Sequence, residues 1–401
     1  KNDTATAYIP TTSTSAIETR IESRGLLVER QRTNSLPYSS DIVGQLNWAK
    51  AGVATVAATS ITAPDGSTDT VGLLDDGTNG QHTLYDDVSV SNIAAVYTAS
   101  CWVKEGTKDF AELFANGASG TGTITIAYKY DLVNKTVEYT GAAGFSAGTS
   151  ATITEYPNGW FRITMTGDVA GTATGAGTYR FHIRARTDTS GNYQGDNTDG
   201  IYVWGPQVEQ SEFSTSYIPT TTSTITRPKE YAQIDGISDF FNPNAGSCFI
   251  EFEVNYEGIG HWASYERPFV FRDVSNGREF GISANGLNNQ TSVAGYNHYL
   301  PGGSYVHKVM APEIDKIYKI YLGYGDNYVS AYYDDDFYDS NDSSRDRTVL
   351  QQPLDNAISS DNHTKLILGG QDTGNYALFG TIRSFKYYPV DVGSVKMRKF
   401  V

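Results

Sequence analysis

Apolar and polar residues alternate along much of this chain with a period of two, the spacing of an extended strand with one buried face. Tyr179 to Arg186 is the clearest stretch: Phe181, Ile183 and Ala185 fall on one side, and Arg180, His182, Arg184 and Arg186 on the other. Trp160 to Met165 divides the same way, with Phe161, Ile163 and Met165 opposite Trp160 and Arg162. From Ala99 to Lys104, Cys101 and Val103 oppose Trp102 and Lys104. Further strands are predicted at 25–29, 94–104, 123–128 and 200–204, separated by turn formers such as Pro64-Asp65-Gly66 and Pro157-Asn158-Gly159. In the C-terminal half the predicted strands, 247–254, 268–271, 316–322, 328–333, 365–369 and 380–388, are longer and richer in tyrosine, and one helical turn is expected after Pro389. No long stretch keeps a 3.6-residue period without Gly, Pro or Thr interrupting it. The pattern predicts an all-β protein of two antiparallel β-sandwich domains in tandem.

Composition agrees, with 40 Gly, 28 Tyr and 17 Phe but only 3 Met among 401 residues, a length sufficient for two cores. The formal charge of −15 argues against generic binding to nucleic acid or to an anionic membrane surface. No apolar run is long enough to cross a bilayer, so no membrane insertion is expected. The two cysteines, Cys101 and Cys248, sit in predicted strands of different domains and read as buried free thiols rather than a disulfide.

A phrase recurs: Tyr8-Ile9-Pro10-Thr11-Thr12 leads through a Ser/Thr-rich stretch to Arg20, and Tyr217-Ile218-Pro219-Thr220-Thr221 leads to Arg227. Such an echo marks module boundaries. It divides the chain into a closing segment of a preceding module at 1–24, a first module at 25–217, a Thr/Ser linker at 218–229 and a second module at 230–401.

These strings carry a resemblance. Residues 25–34, Trp48 to Lys50, Ala63 to Gly66, Trp102 to Lys104, Asn158 to Trp160 and 200–209 leading into Tyr217 resemble the jelly-roll, carbohydrate-binding-like module of bacteriophage tail and head fibre proteins. The second module is similar to concanavalin-A-like (laminin-G-like) lectin sandwiches, through the Phe249 to Phe252 strand, the 328–336 hairpin, Leu368-Gly369-Gly370 and the closing 380–389 strand. The resemblance implies a virion fibre or tailspike component, extracellular and commonly trimeric, whose partner is a bacterial surface glycan.

Candidate chemistry follows from the alternation. If the 99–104, 160–165 and 179–186 strands share a sheet, Trp102, Lys104, Arg162, Arg180, His182, Arg184 and Arg186 form one outer face of aromatic plates and guanidinium forks. Such a face suits acidic sugars. The same arginines can instead pair with Asp and Glu of neighbouring strands. In the second module the aromatic loops supply Trp262, Tyr265, Asn288, Tyr296, His298 and Tyr299, residue types that suit either sugar recognition or an interface. Among the acidic clusters, Asp334 to Asp336, Asp339 to Asp342 and the Asp196/Asp199 pair, turn chemistry competes with calcium ligation; jelly-roll sugar modules often hold a structural calcium, which keeps Asp196 and Asp199 as metal candidates, and no cofactor is otherwise called for. The six histidines have no paired metal spacing and no Gly-x-Ser-x-Gly elbow occurs; Glu251 and Glu253 share a strand face but lack the glycosidase string of sandwich hydrolases. Binding is therefore favoured over catalysis, with a polysaccharide depolymerase and a structural spacer as the alternatives.

Overall fold

The computed structural model describes residues 25–43, 48–91, 95–119, 122–143, 149–167, 175–254, 266–275, 279–285, 293–297, 305–309, 317–325, 328–333, 350–353, 362–370 and 378–392. Among them the regular structure is antiparallel strand, apart from two single 3-10 turns at Pro157–Gly159 and Ile237–Asp239. The chain forms two units, each an antiparallel β-sandwich, and passes between them after Gln31 and again after Arg227.

In chain order the first strands are β1 (Leu26–Val28), β2 (Arg32–Asn34), β3 (Ala49–Ala51), β4 (Val53–Ala58), β5 (Val71–Asp75), β6 (Asn79–Val90), β7 (Tyr97–Glu105) and β8 (Phe110–Ser119). They continue as β9 (Gly122–Asp131), β10 (Thr136–Ala143), β11 (Ser150–Tyr156), β12 (Trp160–Gly167), β13 (Gly177–Arg186), β14 (Asn192–Gln194), β15 (Gly200–Glu209) and β16 (Ile225–Arg227). In the first sandwich one sheet runs β10-β9-β8-β13-β6-β14, with β3 also on β6, and the other runs β11-β12-β7-β15-β5-β4. The alternation explains why they stack: Leu113, Phe181, Ile183 and Leu84 of one sheet share a buried core with Cys101, Val103, Ile163 and Val203 of the other. Each such side chain contributes roughly 1.5–3 kcal/mol on leaving water.

Of the segment read as a linker at 218–229, residues 218–227 are instead part of this sandwich. Asn34 Nδ2 donates to Ile218 O (2.9 Å), Gln207 Oε1 accepts from Ile218 N (2.6 Å), and Thr220 Oγ1 donates to Leu36 O (2.7 Å). β16 then pairs with β2. The Tyr-Ile-Pro-Thr phrase is thus a clamp that closes over the sheet containing β7 and β15. Room for it comes from a bulge in β15 at Gly205, whose φ of 59° favours glycine and where a Cβ would lie 3.1 Å from the Trp102 ring.

The boundary expected at residue 25 also moves. β1 does not join the first sandwich; it pairs with the last strand of the second, Leu26 opposite Ile382. Val28 is fully buried in that core, against Gly369, where a Cβ would come within 2.5 Å of it. The second sandwich adds β17 (Ala232–Asp235), β18 (Gly246–Val254), β19 (Glu266–Arg272), β20 (Glu279–Asn285), β21 (Val293–Asn297), β22 (Tyr305–Val309), β23 (Ile317–Gly325), β24 (Tyr328–Tyr333), β25 (Leu350–Pro353), β26 (Lys365–Leu368) and β27 (Gly380–Tyr388). Its sheets run β1-β27-β18-β23-β24-β25 and β17-β26-β19-β20-β21-β22. Cys248, Ile250 and Phe252 face Phe269, Phe271 and Phe280 across the core. Both cysteines are buried free thiols. The helical turn expected after Pro389 is not found at 390–392, which are bend and irregular chain; residues 1–24 and those after 392 lie outside the described residues.

Candidate functional site

The cation ladder lies on β13, with its apolar partners in the core and its polar side facing outward, flanked by β6 and β8. Register places Arg180 between Asp87 and Asn116, His182 between Tyr85 and Phe114, and Arg184 between Thr83 and Glu112. Arg180 donates from Nε and Nη2 to Asp87 Oδ1 and Oδ2 (2.7 and 3.0 Å), and its guanidinium carbon lies 4.9 Å from the Tyr85 ring centre. The His182 ring lies 5.0 Å from both Tyr85 and Phe114, and Arg184 stacks 3.8 Å from Phe114. Three rings therefore line up between two guanidinium groups across three strands: Arg180, Tyr85, His182, Phe114, Arg184.

This face is not the anion trap expected from the arginines alone. Glu112, buried, takes one bond from Arg184 Nη1 (2.8 Å) and another from Arg186 Nη1. Asp87 neutralises Arg180, and Lys129 is held by Asp188 (2.7 Å) and Glu138 (2.5 Å). Burial, and then the charges of Arg184 and Arg180, push the His182 imidazole down to about 3, so the ring is neutral. Asn116 Oδ1 can only accept, so His182 Nε2 donates to it (3.3 Å) and Nδ1 accepts from the Thr83 hydroxyl (3.1 Å). Of the two readings of these arginines, pairing with acids of neighbouring strands is the one the sheet shows: the ladder's charge is spent within it. What reaches solvent is half-buried Tyr85, Phe114 and Asn116, with exposed Asp87, Arg180, Ser89 and Thr178 around them.

Sequence reading missed Tyr85, Phe114, Asn116 and Glu112. The signal was present, since Phe110, Glu112, Phe114 and Asn116 alternate with Ala111, Leu113 and Ala115 as cleanly as the arginines do with their partners.

Trp102, Lys104 and Arg162 do not belong to this face. They lie on β7 and β12, in the other sheet, on the opposite outer side of the sandwich. There Arg162 stacks 4.3 Å from the Trp102 ring and donates from Nη2 to Thr215 O (2.5 Å). Trp102 is buried with Trp160, Trp204, Tyr217 and Ala63 under the clamp, and Lys104 Nζ donates to Asn158 O (2.5 Å). The assumption that all three strands share one sheet is overturned by the pairing of β7 with β12 and of β13 with β6 and β8.

Of the second-module candidates, Trp262, Tyr265, Asn288, His298 and Tyr299 lie outside the described residues, and Tyr296 is described only as a backbone position in β21 opposite Val306. The acidic residues at 334–336 and 339–342 also lie outside them. Glu251 and Glu253 do share the outer face of β18, but Glu253 is buried and takes a bond from Arg383 Nη2 (2.6 Å).

Asp196 and Asp199 meet a third carboxylate, Asp75 at the end of β5: one oxygen from each lies within 4.8 Å of the others. The donor set is all oxygen, and both nitrogens of neighbouring His82 are engaged, Nε2 by Tyr193 O (3.1 Å) and Nδ1 by Gly52 O. Such a set fits calcium.

No family model matches the sequence, and no curated protein matches it. Among solved structures the chain is similar to domains LG4-5 of the mouse laminin α1 chain, at 9% identity and a TM-score of 0.29, over 83% of this chain and 92% of that one. The all-β sandwich architecture stands on the chain's own sheets and registers.

Proposed function

We propose that the chain is a non-catalytic carbohydrate-binding region, and that the outer face of β6, β13 and β8 binds a neutral sugar. One observation carries the reading: half-buried Tyr85 and Phe114 are held rigid by stacked cations beside the Asn116 amide and the Asp87 carboxylate. The C–H faces of a pyranose pack on such rings, and amide and carboxylate read its hydroxyls. The Tyr-Ile-Pro-Thr phrase and the strings around it support a finer reading: a phage fibre or tailspike that attaches the virion to bacterial surface polysaccharide. In a trimer, avidity would exceed a single weak site by roughly 10²–10⁴-fold.

The test is a glycan array and titration calorimetry with the 401-residue chain, its Phe114→Ala and Asn116→Ala variants, and neutral and acidic bacterial polysaccharides. Binding of a neutral glycan that both variants weaken supports the reading. Binding untouched by both, or release of new reducing ends from the polysaccharide, overturns it in favour of another site or of a depolymerase.

A further inference from the structure

The outer face of β6, β13 and β8 has a hydrogen-bonding polarity that its residue types alone do not set. At its centre stands Asn116, half-buried on β8, with Phe114 two residues before it and Arg180 of β13 directly opposite. An asparagine amide can offer a ligand either its oxygen or its NH2, and the choice depends on which end the protein holds.

Here the protein holds the oxygen. Burial keeps His182 neutral, and a neutral imidazole has one N–H. Its Nδ1 faces the Thr83 hydroxyl at 3.1 Å, while the other acceptors near that hydroxyl, Leu84 O and Ile183 O, both stand at 3.5 Å. Thr83 therefore spends its proton on Nδ1, the ring proton sits on Nε2, and Nε2 donates to Asn116 Oδ1 (3.3 Å). Asn116 Nδ2 is left without a partner among the described residues. Arg180 adds a second donor beside it: Nε and Nη2 go to Asp87, and Nη1 has no acceptor among the described residues. Two adjacent donors are best matched by an oxygen with lone pairs and no proton of its own. An amide carbonyl fills that role better than a hydroxyl, whose proton would have to find an acceptor elsewhere.

The sheet also has room for what an amide carries with it. On the side of Phe114 away from His182, Ala127 of β9 lies opposite Phe114 and Gly141 of β10 lies opposite Ala127, so the side chains shrink to a methyl and then a hydrogen. A Cβ on Gly141 would meet nothing within 4 Å. An acetyl methyl fits over these two residues, against the edge of the Phe114 ring.

We propose that this face selects sugars bearing an acetamido group, whose carbonyl accepts from Asn116 Nδ2 and whose methyl lies over Ala127 and Gly141. Thr83 and His182 are positioning residues that fix the direction of the amide. The proposal rests on the glycan-binding reading of the same face and adds to it the substituent that is recognised.

The test is a glycan array of neutral pairs that differ only in an acetamido or a hydroxyl group at one ring position, chitin and cellulose fragments being one pair, followed by calorimetry with the 401-residue chain. Bound glycans should carry the acetamido group, and their hydroxyl counterparts should bind about 10-fold or more weakly. Asn116→Asp replaces the outward donor with an acceptor, so the acetamido preference should vanish while binding of the hydroxyl counterparts persists. Thr83→Val keeps the volume of this buried side chain but removes the hydroxyl that orients His182, and should lower the same preference without weakening the hydroxyl counterparts. Binding with no preference for acetamido, or a preference that survives in Asn116→Asp, would overturn the proposal and leave glycan binding standing. An equal loss for both members of a pair in Thr83→Val would overturn the roles given to Thr83 and His182. Failure to bind any glycan on the array would overturn both readings of the face.

Discussion

The Arg184 guanidinium lies 3.8 Å from the Phe114 ring centre and donates to Glu112 at 2.8 Å, so one arginine is fixed by a π face and a carboxylate from a single neighbouring strand. The arginine is thereby a support for the ring. The proposed glycan face is a set of aromatic plates braced by paired charges, and the two roles separate experimentally.

Glu112→Ala leaves Arg184 and Arg186 buried without their shared partner. Breaking such a pair costs about 3–5 kcal/mol, so urea denaturation should show a loss of that order. Arg180→Ala, at an exposed pair with Asp87, should cost about 1 kcal/mol or less.

Phe114→Ala removes a plate from the half-exposed face. Neutral-glycan affinity measured by calorimetry is expected to fall by about 10-fold or more, equivalent to roughly 1.4 kcal/mol. The circular dichroism spectrum should stay that of the native sandwich.

Asp86 points inward from β6, nearly fully buried, with no donor to Oδ2 among the described residues and Oδ1 accepting from Asp87 N (2.8 Å). Burial pushes its carboxyl up to about 6 from an ordinary value of 3.8. A carboxyl raised on folding favours the folded state while protonated. Its contribution is therefore complete below about 3.8 and is lost as pH rises to about 6. Asp86→Asn should be more stable than the native chain above pH 6 by on the order of 2 kcal/mol, with the difference vanishing near pH 4, as read from denaturation midpoints across that window.

Asn34→Ala tests the clamp. Asn34 is fully buried; its Oδ1 accepts from Val208 N and Leu36 N (both 3.1 Å), and Nδ2 donates to Ile218 O (2.9 Å). Losing these three bonds leaves buried backbone groups unmatched, for about 2–4 kcal/mol. Protease should then cut first near Tyr217, since the segment covering Trp102 and Trp204 loses its anchor.

Period-two alternation was enough, without any tertiary contact, to assign strand class and to split each of the strands 99–104, 160–165 and 179–186 into a core side and an outer side, because a strand's pleat alone sets which side chains share a face. A recurring phrase, not alternation, marked Tyr217, which the structure places in a clamp. Local pattern carries no information on which strand lies beside which. Only the paired sheets placed Trp102 and Arg162 on the opposite outer side from Arg184, brought Glu112 and Phe114 to the ladder from another strand, and set Asp75 beside residues far along the chain. For the same reason the tertiary structure alone assigned Leu26–Val28 to the second sandwich, since strand pairing is a long-range choice made by whichever edge and core accept the strand.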